Sequence, residues 1–309
     1  MKHKQLVNDI SKRYKKLDED FERLIPDFGK EDIHSFRLQV KRLTSLLHLT
    51  ATGKKKFTHP PISKNLLSFY GMIGEIRNLQ LLRERIKKLP HEEYSRLQIP
   101  YLAFIDSMIE DQQRKALKHG ENKKHFSIDR SKTIEALGHL KQKHIQKFAD
   151  KCLASFSTLT FPAYLSDDAI HATRKILKDM LYTWSFTSKN RIGTSVVMMD
   201  KNEIIAMIKI LGEFHDKCAC LDMLHSHYKS QQIRPKLRNL WRRIENKWWN
   251  EKENMRAVIR KLFLDDRAAS VDHVHHNENQ HVAAPITLSQ SDLHRSDGLK
   301  IEPLAEKER

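Results

Sequence analysis

Six nitrogen-bearing side chains recur in this chain with a single spacing. The segment Ile33–Leu43, IHSFRLQVKRL, carries His34, Arg37 and Lys41, and the segment Ile170–Met180, IHATRKILKDM, carries His171, Arg174 and Lys178. The two triplets lie 137 residues apart. On an α-helix, steps of three and four residues keep side chains on one stripe. Each segment therefore offers a column of donors about 10 Å long. Their chemistry is that of an anion site. Arginine presents a planar fork that holds two oxygens of a phosphate. Lysine adds a compact charge, and histidine donates from a ring nitrogen whose protonation a neighbouring phosphate favours. Two such columns in a basic chain point to an extended polyanion.

A single run of this kind is most simply a solvated helix face. Recurrence of the same three residue types at equivalent places in two halves favours a shared ligand. Arg42, Arg77 and Lys175 lie close enough in sequence to extend the track, as do Arg114, Lys115 and Lys118 in the first half and Arg234, Arg238, Arg242 and Arg243 in the second. Trp241, Trp248 and Trp249 suggest base stacking, but the seven-residue step from Trp241 to Trp248 is a core spacing. The chain has no glycine-rich phosphate loop, no Cys–His zinc pattern and no pair of carboxylates suited to acid–base work. Asp167 and Asp168 read as helix-opening residues, and nothing specifies a nucleophile.

The elements that must position these side chains are helices. Gly and Pro number only 9 each among 309 residues, well below average usage. Apolar periodicity, capping residues and breakers predict helices over 3–24, 31–51, 62–88, 91 or 99 to 119, 130–157, 166–187, 200–229 and 234–264. Gly120 reads as a C-terminal glycine cap, Ser166 or Asp167 as an N-cap, Asp200 with Glu203 as a capping box and Pro235 as a first-turn proline. In the second helix Phe36, Val40, Leu43 and Leu47 form the core stripe, with the basic stripe about 100° further round, bordering the core. Thr173, Leu177, Met180 and Trp184 take the core places in the second half. Gly74-Glu75-Ile76-Arg77-Asn78 matches Gly212-Glu213-Phe214-His215-Asp216 at an offset of 138. The order is thus a four-helix unit written twice, with repeats over 1–124 and 130–264.

Charge is unevenly distributed. The formal net charge is +17, but residues 265–309 hold 9 acidic and 5 basic residues, leaving +21 on residues 1–264. A body this basic repels itself unless it meets an anion. The polar stretch 265–309 reads as a disordered tail, and its His273, His275, His276 and His281 lack the scaffold of a metal site. Cys152, Cys218 and Cys220 read as reduced thiols in a cytoplasmic protein. The N-terminus resembles no secretory signal, and no apolar run is long enough for membrane insertion.

At His34-x-x-Arg37-x-x-x-Lys41-Arg42-Leu43, Gly74-x-x-Arg77-Asn78, His171-x-x-Arg174-x-x-x-Lys178 and Gly212-x-x-His215-Asp216, the chain resembles the CHAD family, the "conserved histidine α-helical domain". The resemblance spans residues 1–264. It implies two four-helix bundles related by pseudo-twofold symmetry, with a basic surface that binds inorganic polyphosphate without catalysis. Some members are fused to a triphosphate-hydrolysing tunnel domain, which this chain is expected to lack. The family's further arginine on each stripe is replaced here by Thr44 and Leu181, and its Arg-Asp pair becomes Arg77-Asn78 in one half and His215-Asp216 in the other. The expectation is an all-α, two-bundle protein that binds polyphosphate through His34, Arg37, Lys41, Arg42, Arg77, His171, Arg174 and Lys178. It needs no cofactor or metal and resides in the cytoplasm, with polyphosphate granules as a place to look. The alternative is sequence-nonspecific nucleic-acid binding by the same charge.

Overall fold

A computed structural model describes residues 2–52, 62–120, 125–137, 140–160, 165–187, 200–230 and 235–274. Arg234 and the tail histidines His275, His276 and His281 lie outside them, and His273 falls at the end of the last helix. The described elements are α1 (Lys2–Leu24), α2 (Lys30–Ala51), α3 (Lys64–Lys87), α4 (His91–Gly120), α5 (His125–Ala136), α6 (Gln142–Thr160), α7 (Asp167–Tyr182), α8 (Trp184–Thr187), α9 (Lys201–Ser230) and α10 (Pro235–Val274). The fold is all-α: a four-helix unit α1–α4 and a second unit α6, α7, α9 and α10.

The repeat is visible in what is buried. Ile33, Phe36, Val40 and Leu43 of α2 map at an offset of 137 onto Ile170, Thr173, Leu177 and Met180 of α7, all buried. Leu66, Phe69, Ile73, Ile76, Leu82 and Ile86 of α3 map at an offset of 138 onto Ile204, Met207, Leu211, Phe214, Cys220 and Leu224 of α9, also all buried. A 3.6-residue period survives although the residue types change, because burial constrains which face is apolar more than which apolar residue fills it.

Local signals account for most helix ends. Ser63 Oγ accepts from the Leu66 amide at 3.1 Å at the start of α3, and Ser166, not Asp167, caps α7 by accepting from Ala169 at 3.1 Å. Asp200 and Glu203 form the expected reciprocal box, with bonds of 2.6 and 2.9 Å. Three expectations change. The helix expected over 130–157 is two helices. The first ends at Ala136 and the second begins at Gln142, and α5 packs on α1 as a connector without a first-half counterpart. The helix expected to 187 breaks at Thr183, whose hydroxyl turns back to the Asp179 carbonyl at 2.7 Å, a bond that competes with regular helix. The last helix runs on to Val274 rather than ending at 264. Gly120 closes α4 as a helical residue, and its missing side chain leaves room for the Phe21 ring.

Two apolar clusters hold residues 1–267 together, and each draws on both repeats. The larger joins α1, α2 and the first half of α3 to α6, α7 and the first half of α9. The smaller joins the distal half of α3 and proximal half of α4 to the matching halves of α9 and α10, with Tyr101 edge-on to Trp241 at 4.5 Å. Trp241 and Trp248 are core, and Trp249 is exposed.

Because each cluster is shared, the repeats should unfold together. Trp248→Ala, which empties a fully buried site in the smaller cluster, should cost about 3–5 kcal/mol. Urea unfolding followed by circular dichroism and by tryptophan fluorescence should show one coincident transition at lower midpoint. Two separated transitions would show that each repeat has a core of its own.

Candidate anion-binding site

Helices α2 and α7, which carry the two basic stripes, pack against one another, as do α3 and α9. The stripes expected as two columns therefore converge into one site. Lys41 and Lys178, the inner ends of the two stripes, lie close enough to shift each other's protonation. Arg37 and Arg174 lie close enough to feel each other's charge. Arg77 from α3 and His215 and Asp216 from α9 complete the group: Asp216 is flanked by Arg174, Arg77, Lys41 and Lys178. His171 and His215 lie with ring centroids 4.7 Å apart. His34 sits exposed at the outer end of its stripe, within reach of the charges of Lys41, Arg77 and Glu31.

Two glycines explain how the arginines enter. A Cβ at Gly74 would collide with the Arg37 guanidinium, and one at Gly212 would lie 3.2 Å from Nη2 of Arg174. Each arginine thus lies flat over a glycine of the neighbouring helix, in equivalent places of the two repeats. Arg37 is further held by Tyr70, donating to its carbonyl at 3.0 Å and stacking 4.4 Å from its ring centre. Arg42 faces the Tyr182 ring at 5.7 Å. Its counterpart at the 137 offset is Asp179, which accepts from Ser45 at 2.5 Å and pairs with His48 at 3.0 Å, tying α7 to α2. Arg42 therefore flanks the site, and the second half has no cation in its place.

Burial sets the electrostatics. Desolvation, reinforced by Arg37 and Arg174, pushes Lys41 down to about 8. Desolvation with Lys41 and Arg174 pushes Lys178 down to about 6. Burial drives His171 to about 4 and His215 to about 3, each helped by adjacent cations. Burial also raises the Asp216 carboxyl, against the pull of Arg174 and Arg77. The side chains thus resist the charges that their types would carry in water. Nη1 of Arg77, Nε of Arg174 and Nδ1 of His171 are buried without a hydrogen-bond partner. A buried unpaired donor is costly, and two guanidinium donors at one site with an unpartnered imidazole nitrogen beside them match an oxyanion.

Of the basic residues expected at the site, His34, Arg37, Lys41, Arg77, His171, Arg174 and Lys178 come together, with Arg42 on the flank. Lys175 is exposed but close enough to depress His171. Arg114 and Lys115 pair with Asp111 of their own helix, and Arg238 and Arg242 are exposed on α10. Asp167 does more than open a helix, because it binds Lys252 at 3.1 Å and Arg256 at 2.5 Å from α10. Thr44 donates to the Val40 carbonyl at 2.9 Å, and Leu181 packs on the apolar core, so neither stripe continues another turn. Sequence reading noticed Gly74, Gly212, His215 and Asp216 as marks of the repeat and of the family motif, without placing them in the site. It gave no role to Tyr70 or Tyr182, which have no periodic signature. Among the described residues no group of three or more His, Cys, Asp or Glu side chains is placed to hold a metal ion, and no helix is long and apolar enough to cross a membrane.

The family model of the CHAD domain matches residues 8–225, more than half of the chain. Among solved structures, the chain is similar to the crystal structure of the CHAD domain from the plant Ricinus communis, with a TM-score of 0.66 and 13% sequence identity over 87% of this chain and 91% of that one. No curated protein sequence matches.

The geometry makes two expectations. In Gly74→Ala the Arg37 guanidinium must leave its seat on Tyr70, whereas Gly212→Ala requires Arg174 to give by only a few tenths of an ångström. Crystal structures of the two variants should show a reoriented Arg37 and a nearly unmoved Arg174. The second concerns pH. Lys178 has a folded value of about 6 against an ordinary 10.5, so between these limits the unfolded chain holds the proton that the folded chain lacks. Stability from this residue is lowest at and below pH 6 and recovers as pH rises. Lys178→Met should therefore raise the melting temperature by a few degrees at pH 6, with the gain shrinking toward pH 9.

Proposed function

The chain belongs to the CHAD family, and we propose that it binds inorganic polyphosphate at the convergence of α2, α3, α7 and α9, without turning it over. The observation that carries this reading is the pair of buried, unpartnered donors on Arg77 and Arg174, with the unpartnered Nδ1 of His171 beside them, set among cations that burial has stripped of solvent. Such an arrangement is costly while empty and is relieved by a ligand rich in negative oxygen.

The number of cations favours a chain of phosphates over a single one. Arg37, Lys41, Arg77 and Arg174 meet around Asp216 as a counter-charge, the Lys178 amine adds donors among them, and Arg42 lies at the flank. One phosphate ion brings at most about two charges at neutral pH; a linear polymer brings one from each residue and is narrow enough to pass between helices. A nucleic-acid duplex carries its phosphates on a wide, stiff surface and meets mainly exposed cations such as Lys175, Arg238 and Arg242. The half-buried positions favour the flexible polymer. Binding without turnover fits a site whose carboxylate between the stripes, Asp216, is hemmed by Arg174, Arg77, Lys41 and Lys178. Three free thiols suit a reducing compartment, and the cytoplasm is where we place the protein.

The test is a charge-matched comparison. Arg37, Lys41, Arg174 and Lys178 replaced together by Gln should leave helicity intact and lower affinity for long-chain polyphosphate by about a hundredfold or more, as expected for loss of several charge-assisted bonds. A control with Lys15, Lys16, Lys143 and Arg260, all exposed, replaced by Gln has the same net charge and should lose much less. Equal losses would mean a diffuse field rather than this site, and tighter binding of duplex DNA than of polyphosphate by the parent would replace this reading with the nucleic-acid one.

A further inference from the structure

We propose that a polyanion leaves the central site on one side only, over Arg42 to Arg13 of α1, and that Asp179 closes the equivalent side. The inference rests on the polyphosphate reading and adds the direction in which the ligand extends. It starts from an asymmetry between the repeats. At an offset of 137, Arg42 corresponds to Asp179, Gln39 to Ile176 and Ser45 to Tyr182. The contacts correspond as well. Arg42 of α2 lies over the Tyr182 ring of α7 at 5.7 Å, and Asp179 of α7 accepts from Ser45 of α2 at 2.5 Å. These are the two rims of the pseudo-twofold centre, and one carries a cation where the other carries an anion.

On the first rim the positive groups continue. Arg13 donates through Nη1 to Oε1 of Gln39 at 3.1 Å. Gln39 is 2% exposed and lies three residues before Arg42, on the same side of α2. The buried amide therefore holds the Arg13 guanidinium beside Arg42, close enough for the two charges to oppose each other. Asp9, one turn earlier on α1, offsets less than Arg42 opposes. A cation–π contact engages a guanidinium through its face. The in-plane donors of Arg42, which suit phosphate oxygens, are therefore not spent on Tyr182.

The second rim is the reverse. In the place of Gln39, Ile176 packs on the apolar core, so α7 offers no hydrogen bond there to a cation from α6. Asp179 is held twice, by Ser45 and by Nδ1 of His48 at 3.0 Å, with 22% of its side chain exposed. From α6 the buried Cys152 comes within range of its charge. A carboxylate fixed at the rim repels a phosphate chain, and its two partners keep it from swinging aside. A chain of phosphates drawn through the centre thus meets further arginines in one direction and a repelling charge in the other.

The test is calorimetry of the full chain with sodium tripolyphosphate and with long-chain sodium polyphosphate. The short ligand fills the centre alone, whereas the long one also reaches a rim. Arg13→Gln with Arg42→Gln should lower affinity for the long chain by about tenfold, the scale of a few charge-assisted contacts at a partly exposed rim, and leave tripolyphosphate within about twofold. Lys143→Gln with Lys147→Gln, both exposed on α6, makes the same change in charge on the other side and should lose much less. Asp179→Asn keeps an oxygen for Ser45 and should raise long-chain affinity several-fold without moving that for tripolyphosphate. Circular dichroism should show parent-like helicity in all three variants. Equal losses in the arginine and α6 variants would overturn the one-sided track. Equal losses for short and long chains would do the same, as would a folded Asp179→Asn with unchanged or lowered long-chain affinity. If the arginine variant does not fold, Asp179→Asn decides alone. A parent protein that binds neither ligand would instead refute the polyphosphate reading, and the track with it.

Discussion

The packing of α2 against α7 presses two columns of cations together and removes much of the water that would screen them. In water, ammonium and guanidinium groups a few ångströms apart repel weakly; with the solvent partly excluded, the repulsion and the lost hydration both grow. The fold has to bear this cost. It does so with weakened basicity and internal partners: a lysine and two imidazoles whose burial favours their uncharged forms, a carboxylate at Asp216, aromatic faces at Tyr70 and Tyr182. The apolar clusters on either side supply the stability that lets such a centre persist. Both clusters bridge the repeats, so the strongest packing in the molecule holds together the helices whose charges push apart.

Duplication explains why the charges meet. A stripe on one repeat becomes two stripes facing across a pseudo-twofold relation, and the residues nearest that relation come within range of their own counterparts' charge. Lys41 meets Lys178, and Arg37 approaches Arg174. The halves have since diverged in complementary ways. Arg77 has Asn78 beside it rather than an acid, while Asp216 follows His215 rather than an arginine, yet Arg77 and Asp216 interact across the site. Arg42 and Asp179 occupy equivalent places with opposite charge, one turned to an aromatic ring and the other to Ser45 and His48. A pattern broken within each half is thus partly restored between them.

Glycine supplies the other constraint. Gly74 and Gly212 are buried on helices, where glycine is normally unfavourable. Their value is space, since a guanidinium can lie against helix backbone only where no Cβ intervenes. An arginine so placed keeps part of its donor set aimed into the site. The cost to helix stability is repeated at equivalent positions, which fits a shared structural need in both repeats.

The order of the helices, their doubling at a constant offset and the identity of the basic triplets were all legible in the chain, because helical periodicity and repetition are local properties of sequence. Capping at Ser166 and at Asp200 with Glu203 was legible for the same reason. The end of α5 at Ala136 and the break at Thr183 had local signals too weak to outweigh the periodic pattern around them. That the two stripes form one site was not legible, because periodicity states which face of a helix is polar and not which helix that face will meet. The neutral state of Lys178, the seat of Arg37 over Gly74, the part played by Asp216 and the removal of Arg114 and Lys115 to a surface pairing with Asp111 all depend on distances across helices. Sequence by itself determined the types and spacing of the donors, while tertiary packing decided how close they come and how much water remains, and so which of them carry charge.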